Sequence, residues 1–345
     1  MKSLGKFPDR FVAEISGQPD ALRRAARGLD QQALQLARLR DAAARRSTLM
    51  FTGMGSSYDA CYPAVTALSV RGVRCTMLDT AELLHFRLAT LREDMLLICV
   101  SQSGESAELV KLIEQLPERE GRPTIATITN GAGSTLAAGA DISLDTCAGE
   151  EHGPSTMTFV AALAVLDTLV EGDPPIERAA LEIERLTAEP QRVADELCAW
   201  IDGRPNLALV GRGSARAAAE MGALTLKEAA RLPAESLQAA QFRHGPLELA
   251  GPKLAVIVVA TEPRTRDLEL GLAGELVRAG AAVLVVSQDG EAPDGAEAIS
   301  TGPLAGGLAA AAATVPAQLL AWRLARSRGL TPGEFALAGK VTTRE

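Results

Sequence analysis

The chain repeats itself, and this constrains its fold more than any other feature. Gly53-Met54-Gly55-Ser56-Ser57 returns as Gly211-Arg212-Gly213-Ser214-Ala215, 158 residues later. The same offset, within a residue or two, carries 96–100 onto 254–258, 124–130 onto 282–288 and 75–86 onto 233–245, so that His85 falls beside His244. Within the first copy, short apolar runs at 49–52, 75–78, 96–100, 124–128 and 142–144 alternate with helical stretches. Short apolar runs bounded by turn residues read as buried strands, and strand–helix alternation builds parallel sheets covered on both faces. The expectation is an α/β chain of two tandem three-layer αβα units with parallel sheets.

One stretch, 94–112, carries the chemistry. The apolar run Met95-Leu96-Leu97-Ile98-Cys99-Val100 gives way to Ser101-Gln102-Ser103-Gly104-Glu105-Ser106, and apolar residues then return at helical spacing, at Leu109, Leu112 and Ile113. The polar hexapeptide therefore joins the carboxyl end of a strand to the start of a helix, where open α/β sheets place ligands. Free N–H groups and the helix dipole suit an anion there. A plain helix cap needs one hydroxyl, and this loop has three. The second copy has Ala260-Thr261-Glu262-Pro263 at the matching place. A carboxylate repels an anion and proline removes a donor, so one anion site per chain is expected, in the first copy.

The balance of 47% hydrophobic and 23% charged residues is that of a globular protein, and the net charge of −8 disfavours a nucleic-acid surface. Five widely spaced cysteines without a CxxC fit reduced thiols better than a disulfide framework or a zinc site. No apolar leader opens the chain, and Gly, Pro and Arg interrupt the Ala-rich segment near 305–326, so no membrane span and a cytoplasmic location are expected. The expected divisions are a helical segment at 1–46, an amphipathic pair of helices broken near Gln18-Pro19-Asp20, the first α/β unit at 47–172, a helical linker at 173–205, the second unit at 206–330 and a tail at 331–345.

With these residues laid out, the chain resembles the double-SIS (sugar isomerase) family: the isomerase half of glucosamine-6-phosphate synthase and the stand-alone amino-sugar-phosphate deaminases and deglycases. The resemblance is carried by 101–106, Gly211-Arg212-Gly213, Leu226-Lys227-Glu228, Phe242-Arg243-His244-Gly245-Pro246 and Gly339-Lys340-Val341-Thr342. It implies two flavodoxin-like domains, a phosphosugar site in the first, and a homodimer whose sites are completed across the interface. It assigns the phosphate to Ser57, Ser101, Gln102, Ser103 and Ser106. Glu228 matches the carboxylate that moves a proton between C1 and C2. His244 matches the ring-opening imidazole contributed by the neighbouring subunit, and Lys340 the lysine that reaches over the sugar. Gly55, Ser56, Ser155 and Thr156 are candidate sugar contacts, with a plain N-cap as the other reading of Ser155-Thr156. His85 and His152 read as structural or rim residues.

The chemistry asks for these residue types independently. Aldose–ketose interconversion needs a carboxylate with a raised pKa to take and return a carbon-bound proton. Ring opening suits a histidine, and a developing enolate suits a lysine. No ligand cluster and no dinucleotide fingerprint with its acidic partner is present, so neither metal nor organic cofactor is implied. Three positions that are charged in relatives are here Met157, Thr225 and Met221, which leaves the 2-substituent of the sugar open. A glutaminase domain before the repeat is not expected. The expected activity is isomerisation with amine release on an amino-sugar phosphate such as glucosamine 6-phosphate. The alternatives are a fructosamine-6-phosphate deglycase, a simple aldose–ketose isomerase, and a non-catalytic phosphosugar sensor.

Overall fold

The structure, a computed structural model, describes residues 9–116, 121–337 and 339–344. The first eight residues of the expected helical segment, and Ala338 and Glu345 of the expected tail, lie outside it.

Two five-stranded parallel sheets form among the described residues. The first contains β1 (Thr48–Gly53), β2 (Cys75–Asp79), β3 (Met95–Ser101), β4 (Thr124–Thr129) and β5 (Ile142–Asp145), in the order β2-β1-β3-β4-β5. The second contains β6 (Asn206–Gly211), β7 (Ala234–Gln238), β8 (Leu254–Ala260), β9 (Ala282–Ser287) and β10 (Glu297–Ser300), in the order β10-β9-β8-β6-β7. Read from its other edge, the second order is the first, so the sequence repeat is also a topological one. The central strands β3 and β8 are buried along their whole length. Helices cover both faces of such a sheet, which explains why these strands read as unbroken apolar runs rather than alternating ones.

This strand order has its switch point between β1 and β3, whose register pairs Thr48 with Met95 and Thr52 with Cys99. Chain connections leave the sheet in opposite senses there, and a crevice opens at the carboxyl ends. The loops that open into it are 53–57 after β1 and 101–106 after β3.

Among the described residues, three helices precede β1, rather than the expected pair: Arg10–Ser16, Gln18–Gln31 and Ala33–Arg45. Pro19 does not break the helix but sits in the first turn of the second one. Proline is tolerated there because the first N–H groups have no intrahelical partner. The charged stretch after Pro175 is likewise two helices, Ile176–Thr187 and Pro190–Ile201.

The segment near 305–326 also departs from expectation. It is one helix, Gly306–Ser327, which runs through Pro316. It is long and apolar enough to cross a membrane, yet 94% of its most apolar window is buried inside the protein. It packs against the helices Met157–Glu171, Pro190–Ile201 and Arg216–Ala230 and so joins the two halves. The buried Asp167 carboxylate accepts Gly307 N and Leu308 N at 2.9 Å, tying the start of this helix to the first half. Burial pushes Asp167 up to about 6, against the opposing pull of those two N–H groups. All five cysteines are free thiols; Cys61 and Cys99 are buried, the other three partly so.

Candidate functional site

A cavity of about 370 Å³ lies at the switch-point crevice. Its floor is the two loops: Met54, Gly55, Ser56 and Ser57 after β1, and Gln102, Ser103 and Ser106 after β3. The 101–106 loop is held by its own backbone and by β4. Ser101 Oγ accepts Gly104 N at 3.0 Å, Ser103 Oγ accepts Glu105 N at 3.1 Å, and Gln102 O accepts Asn130 N at 3.0 Å. Gly104 is obligatory. Its φ is +67°, and a Cβ there would come within 2.2 Å of Ser134 Oγ. Glu105 turns outward, where its carboxylate accepts Thr135 N at 2.7 Å and the Thr135 hydroxyl at 2.8 Å; the backbone bond first, then the hydroxyl, holds it below the usual carboxylate range.

Ser106 is the N-cap residue of the helix Ala107–Gln115, yet its hydroxyl makes no capping bond. The hydroxyl instead lines the cavity, 3.5 Å from Ser101 Oγ. So the cap alternative fails for this serine. Ser101 is itself buried and sits under the loop, beside a small void that it shares with Ser56, Ser57 and Gln102. It shapes the turn, while Ser57, Gln102, Ser103 and Ser106 reach the main cavity.

The far wall comes from elsewhere in the chain. The helix Arg216–Ala230 contributes Leu224 and Glu228, one helical turn apart on one face. The tail contributes Phe335, Gly339, Lys340, Val341 and Thr342. Thr342 O accepts the N–H of Ala107, the first residue of the helix that follows the 101–106 loop, at 3.0 Å. The cavity is thus bounded by both halves and flanked by the tail.

Glu228 is mostly buried, and its carboxyl is pushed up to about 7. Burial is the main cause; Lys340 opposes it, the Glu151 charge adds to it, and Lys227 opposes it. A carboxyl that titrates near neutrality inside a cavity is suited to taking and returning a proton.

The structure also places residues that the sequence reading missed. Glu151, in the loop after β5, has a fully buried side chain. One of its oxygens accepts Thr156 N at 2.8 Å, Thr156 Oγ1 at 3.0 Å and Thr158 N at 3.1 Å. The other accepts Thr158 Oγ1 at 2.6 Å and Lys340 Nζ at 2.6 Å. Lys340 Nζ also donates to Gly153 O at 2.7 Å. The same loop is gripped from behind by the N-terminal helices. Buried Glu14 accepts His152 N at 2.7 Å and Gly153 N at 3.1 Å. Glu108, in the first turn after the 101–106 loop, is a further acid on the cavity wall.

Several expected residues sit elsewhere. Thr156, expected among the sugar contacts, is fully buried and given over to Glu151. Ser155 does line the cavity, accepting a hydrogen bond from Ser56 Oγ at 2.9 Å. Met157, Thr225 and Met221 are buried and none lines the cavity; Thr225 Oγ1 donates back to Met221 O at 2.9 Å. Their lack of charge therefore does not change the cavity lining. His244 is exposed on the turn after Ala239–Phe242 and is not among the lining residues. His85 is likewise exposed, ring to ring with Phe86.

The matching loop of the second half is closed by its own side chains. Ser214 Oγ donates to the Glu262 carboxylate, and Arg212 Nε lies 2.7 Å from Glu269 Oε1. An internal carboxylate occupies the place where the first half leaves room for an anion.

The sequence matches the profile of the SIS domain over residues 44–172 and 201–327. A relative from Pyrobaculum aerophilum, glutamine–fructose-6-phosphate aminotransferase (isomerizing), is 30% identical over 361 residues, covering all of this chain and 59% of its own length. The chain thus spans about three-fifths of that relative. Among solved structures, a phosphosugar isomerase assigned as such in Silicibacter pomeroyi superposes with a TM-score of 0.78 at 26% identity, over 93% of this chain and 98% of the other. The glucosamine-6-phosphate deaminase of Thermotoga maritima superposes with a TM-score of 0.71 at 21% identity, over 96% and 99%, a likeness of fold.

Proposed function

The chain belongs to the SIS domain family, and from that premise we propose that it is an isomerase of amino-sugar phosphates that releases the amine, with glucosamine 6-phosphate as the type substrate. The observation that carries this reading is the pairing of two unlike ends in one cavity. Hydroxyl donors from two strand ends face a carboxyl that titrates near neutrality, beside a lysine.

In this reading the phosphate rests on Ser57, Gln102, Ser103 and Ser106 and fixes the sugar's orientation. Neutral hydroxyl and amide donors and the start of the Ala107–Gln115 helix hold the anion. Glu228 takes the proton from C2 of the opened sugar and returns it to C1; a proton passes from the amine to the former aldehyde oxygen, so that C1 becomes a hydroxymethyl carbon and C2 carries a carbon–nitrogen double bond. Water adds at that carbon, ammonia departs, and a ketose phosphate remains. Lys340 supplies positive charge to the oxygen on which negative charge develops. His244 opens the ring in the neighbouring protomer of a homodimer. Its exposure, away from the cavity of its own chain, supports this placement. The Thermotoga maritima protein is named for glucosamine 6-phosphate and the Pyrobaculum aerophilum protein for fructose 6-phosphate, the substrate and the product proposed here.

The test is direct. Purified protein supplied with glucosamine 6-phosphate is expected to form ammonia and fructose 6-phosphate in equal amounts, and Glu228→Gln is expected to abolish both. Absence of turnover with any hexosamine phosphate would sink the proposal.

A further inference from the structure

We propose that the acidic, indole-lined groove beside β10 receives the arginines beside β5 of a second copy of the chain, so that copies join through the open edges of unlike sheets. The repeat puts two grooves at one fold position. The first, about 420 Å³, lies between the Ala33–Arg45 helix and β5 and is lined by Arg38, Ala42, Arg45, Arg46 and Ile142 with one acid, Asp41. The second, about 490 Å³, lies between the Pro190–Ile201 helix and β10, where Val193, Leu197 and Ile299 line it with Glu196, Trp200 and Glu297. The 158-residue offset carries Arg38 onto Glu196, Asp41 onto Ala199 and Ala42 onto Trp200. One position thus holds a cation and a methyl group in one half, and a carboxylate and an indole in the other.

The two linings fit each other. Three arginines against one aspartate make the first groove basic, and two glutamates with no cation in the lining make the second acidic. The Arg45 side chain is 76% exposed and bonds Asp41, one turn back, at 2.8 Å. An exposed i, i+4 pair of this kind is worth little and is readily exchanged. A guanidinium stacks on an aromatic ring while its N–H groups reach carboxylates, and its methylene stem covers apolar surface. Trp200 supplies the ring, Glu196 and Glu297 the carboxylates, and Val193, Leu197 and Ile299 the apolar surface. Trp200 Nε1 is buried without a partner, so the indole turns its polar edge inward and offers carbon to the groove. Arg192 competes for Glu196, which it bonds at 2.7 Å, whereas no cation among the described residues pairs with Glu297.

The backbone adds to this fit. Among the described residues β5 pairs with β4 alone and β10 with β9 alone, so each groove runs beside an open strand edge. Such edges carry N–H and C=O groups that take a partner strand. The surface is also distinct from the dimer contact proposed above. His244 lies on the turn that follows β7, and β7 is at the opposite edge of the second sheet from β10. The new contact joins unlike faces, so it passes from copy to copy unless a ring closes. It goes beyond the phosphosugar reading and does not depend on it.

Sedimentation velocity reads the contact as mass, without substrate. The weight-average mass of the wild type is expected to rise with protein concentration and, at low salt, to exceed that of Arg45→Glu or of Glu297→Arg by about twofold or more. The first substitution cancels the net charge of the basic groove and the second that of the acidic one. Both positions are exposed, so thermal unfolding of each variant is expected to match the wild type. Mixed in equal amounts, the two variants are expected to form species heavier than either does alone, because the intact acidic groove of one meets the intact basic groove of the other. A merely structural effect of either substitution would not be relieved by mixing. A wild-type mass that stays constant with concentration, single variants that keep the wild-type mass, or a mixture no heavier than its components would overturn the proposal. So would a constant mass together with quenching of tryptophan fluorescence by a hexa-arginine peptide, which would give the groove to a different basic partner.

Discussion

Replacing Glu228 by Gln should make the protein more stable in alkaline solution, although it removes the group assigned to catalysis. The carboxyl is moved from its ordinary value of 4.5 to about 7 in the folded chain, chiefly by burial. A carboxyl raised in this way contributes stability that is fully present below its unfolded value. That contribution is lost as pH rises toward the folded value, because the unfolded chain gives up its proton more readily. Each pH unit of difference is worth about 1.4 kcal/mol, so complete ionisation costs the fold roughly 3 kcal/mol. Working the two titrations through linkage, about 2.5 kcal/mol of that loss falls between pH 5 and pH 8. Glutamine does not ionise and so escapes it. Urea unfolding of both proteins at the two pH values measures the effect. The stability of Glu228→Gln relative to the wild type should improve by about 2.5 kcal/mol from pH 5 to pH 8. A difference that stays constant with pH to within about 0.5 kcal/mol would refute the claim that the folded cavity raises this carboxyl.

Two other expectations follow from the geometry. Gly104→Ala combines a left-handed backbone with a contact of 2.2 Å to the Ser134 hydroxyl, so thermal unfolding should show a loss of about 1–3 kcal/mol, and binding of inorganic phosphate followed by calorimetry should weaken at least tenfold. Mixed oligomers test the shared site: Glu228→Gln and His244→Ala proteins, each inactive alone, should regain about a quarter of wild-type activity when denatured together and refolded. No recovery despite verified mixed dimers would place His244 in the site of its own chain.

The sequence made the sheets legible because a parallel strand buried on both faces has little freedom of composition. β3 and β8 are buried throughout, and both stood out as apolar runs. The serine loop was legible for a related reason: a strand end, a glycine and three hydroxyls occur within six residues. What stayed hidden depends on distant partners. Nothing near Glu151 reveals that its counter-charge is Lys340, which lies 189 positions away. Helical phase hid another point. Thr225 and Met221 flank the motif in sequence, but the face turned to the cavity carries Leu224 and Glu228. Proline misled at Pro19 and Pro316 for opposite reasons. The first stands where a helix begins and needs no N–H, and the second is held by a packed core that overrides its local cost.

The self-closed loop of the second half gives the molecule an internal control. The two halves share a strand order, a glycine pair and a loop position, but in one of them Glu262 is bonded to Ser214. Free phosphate, sulfate or a sugar phosphate therefore meets two similar surfaces on one chain, one open and one already satisfied. An anion that truly recognises the loop should slow amide exchange around 101–107 and leave the region of 212–215 unchanged. A merely ionic influence should touch both. Each chain thus carries its own reference for telling recognition from salt.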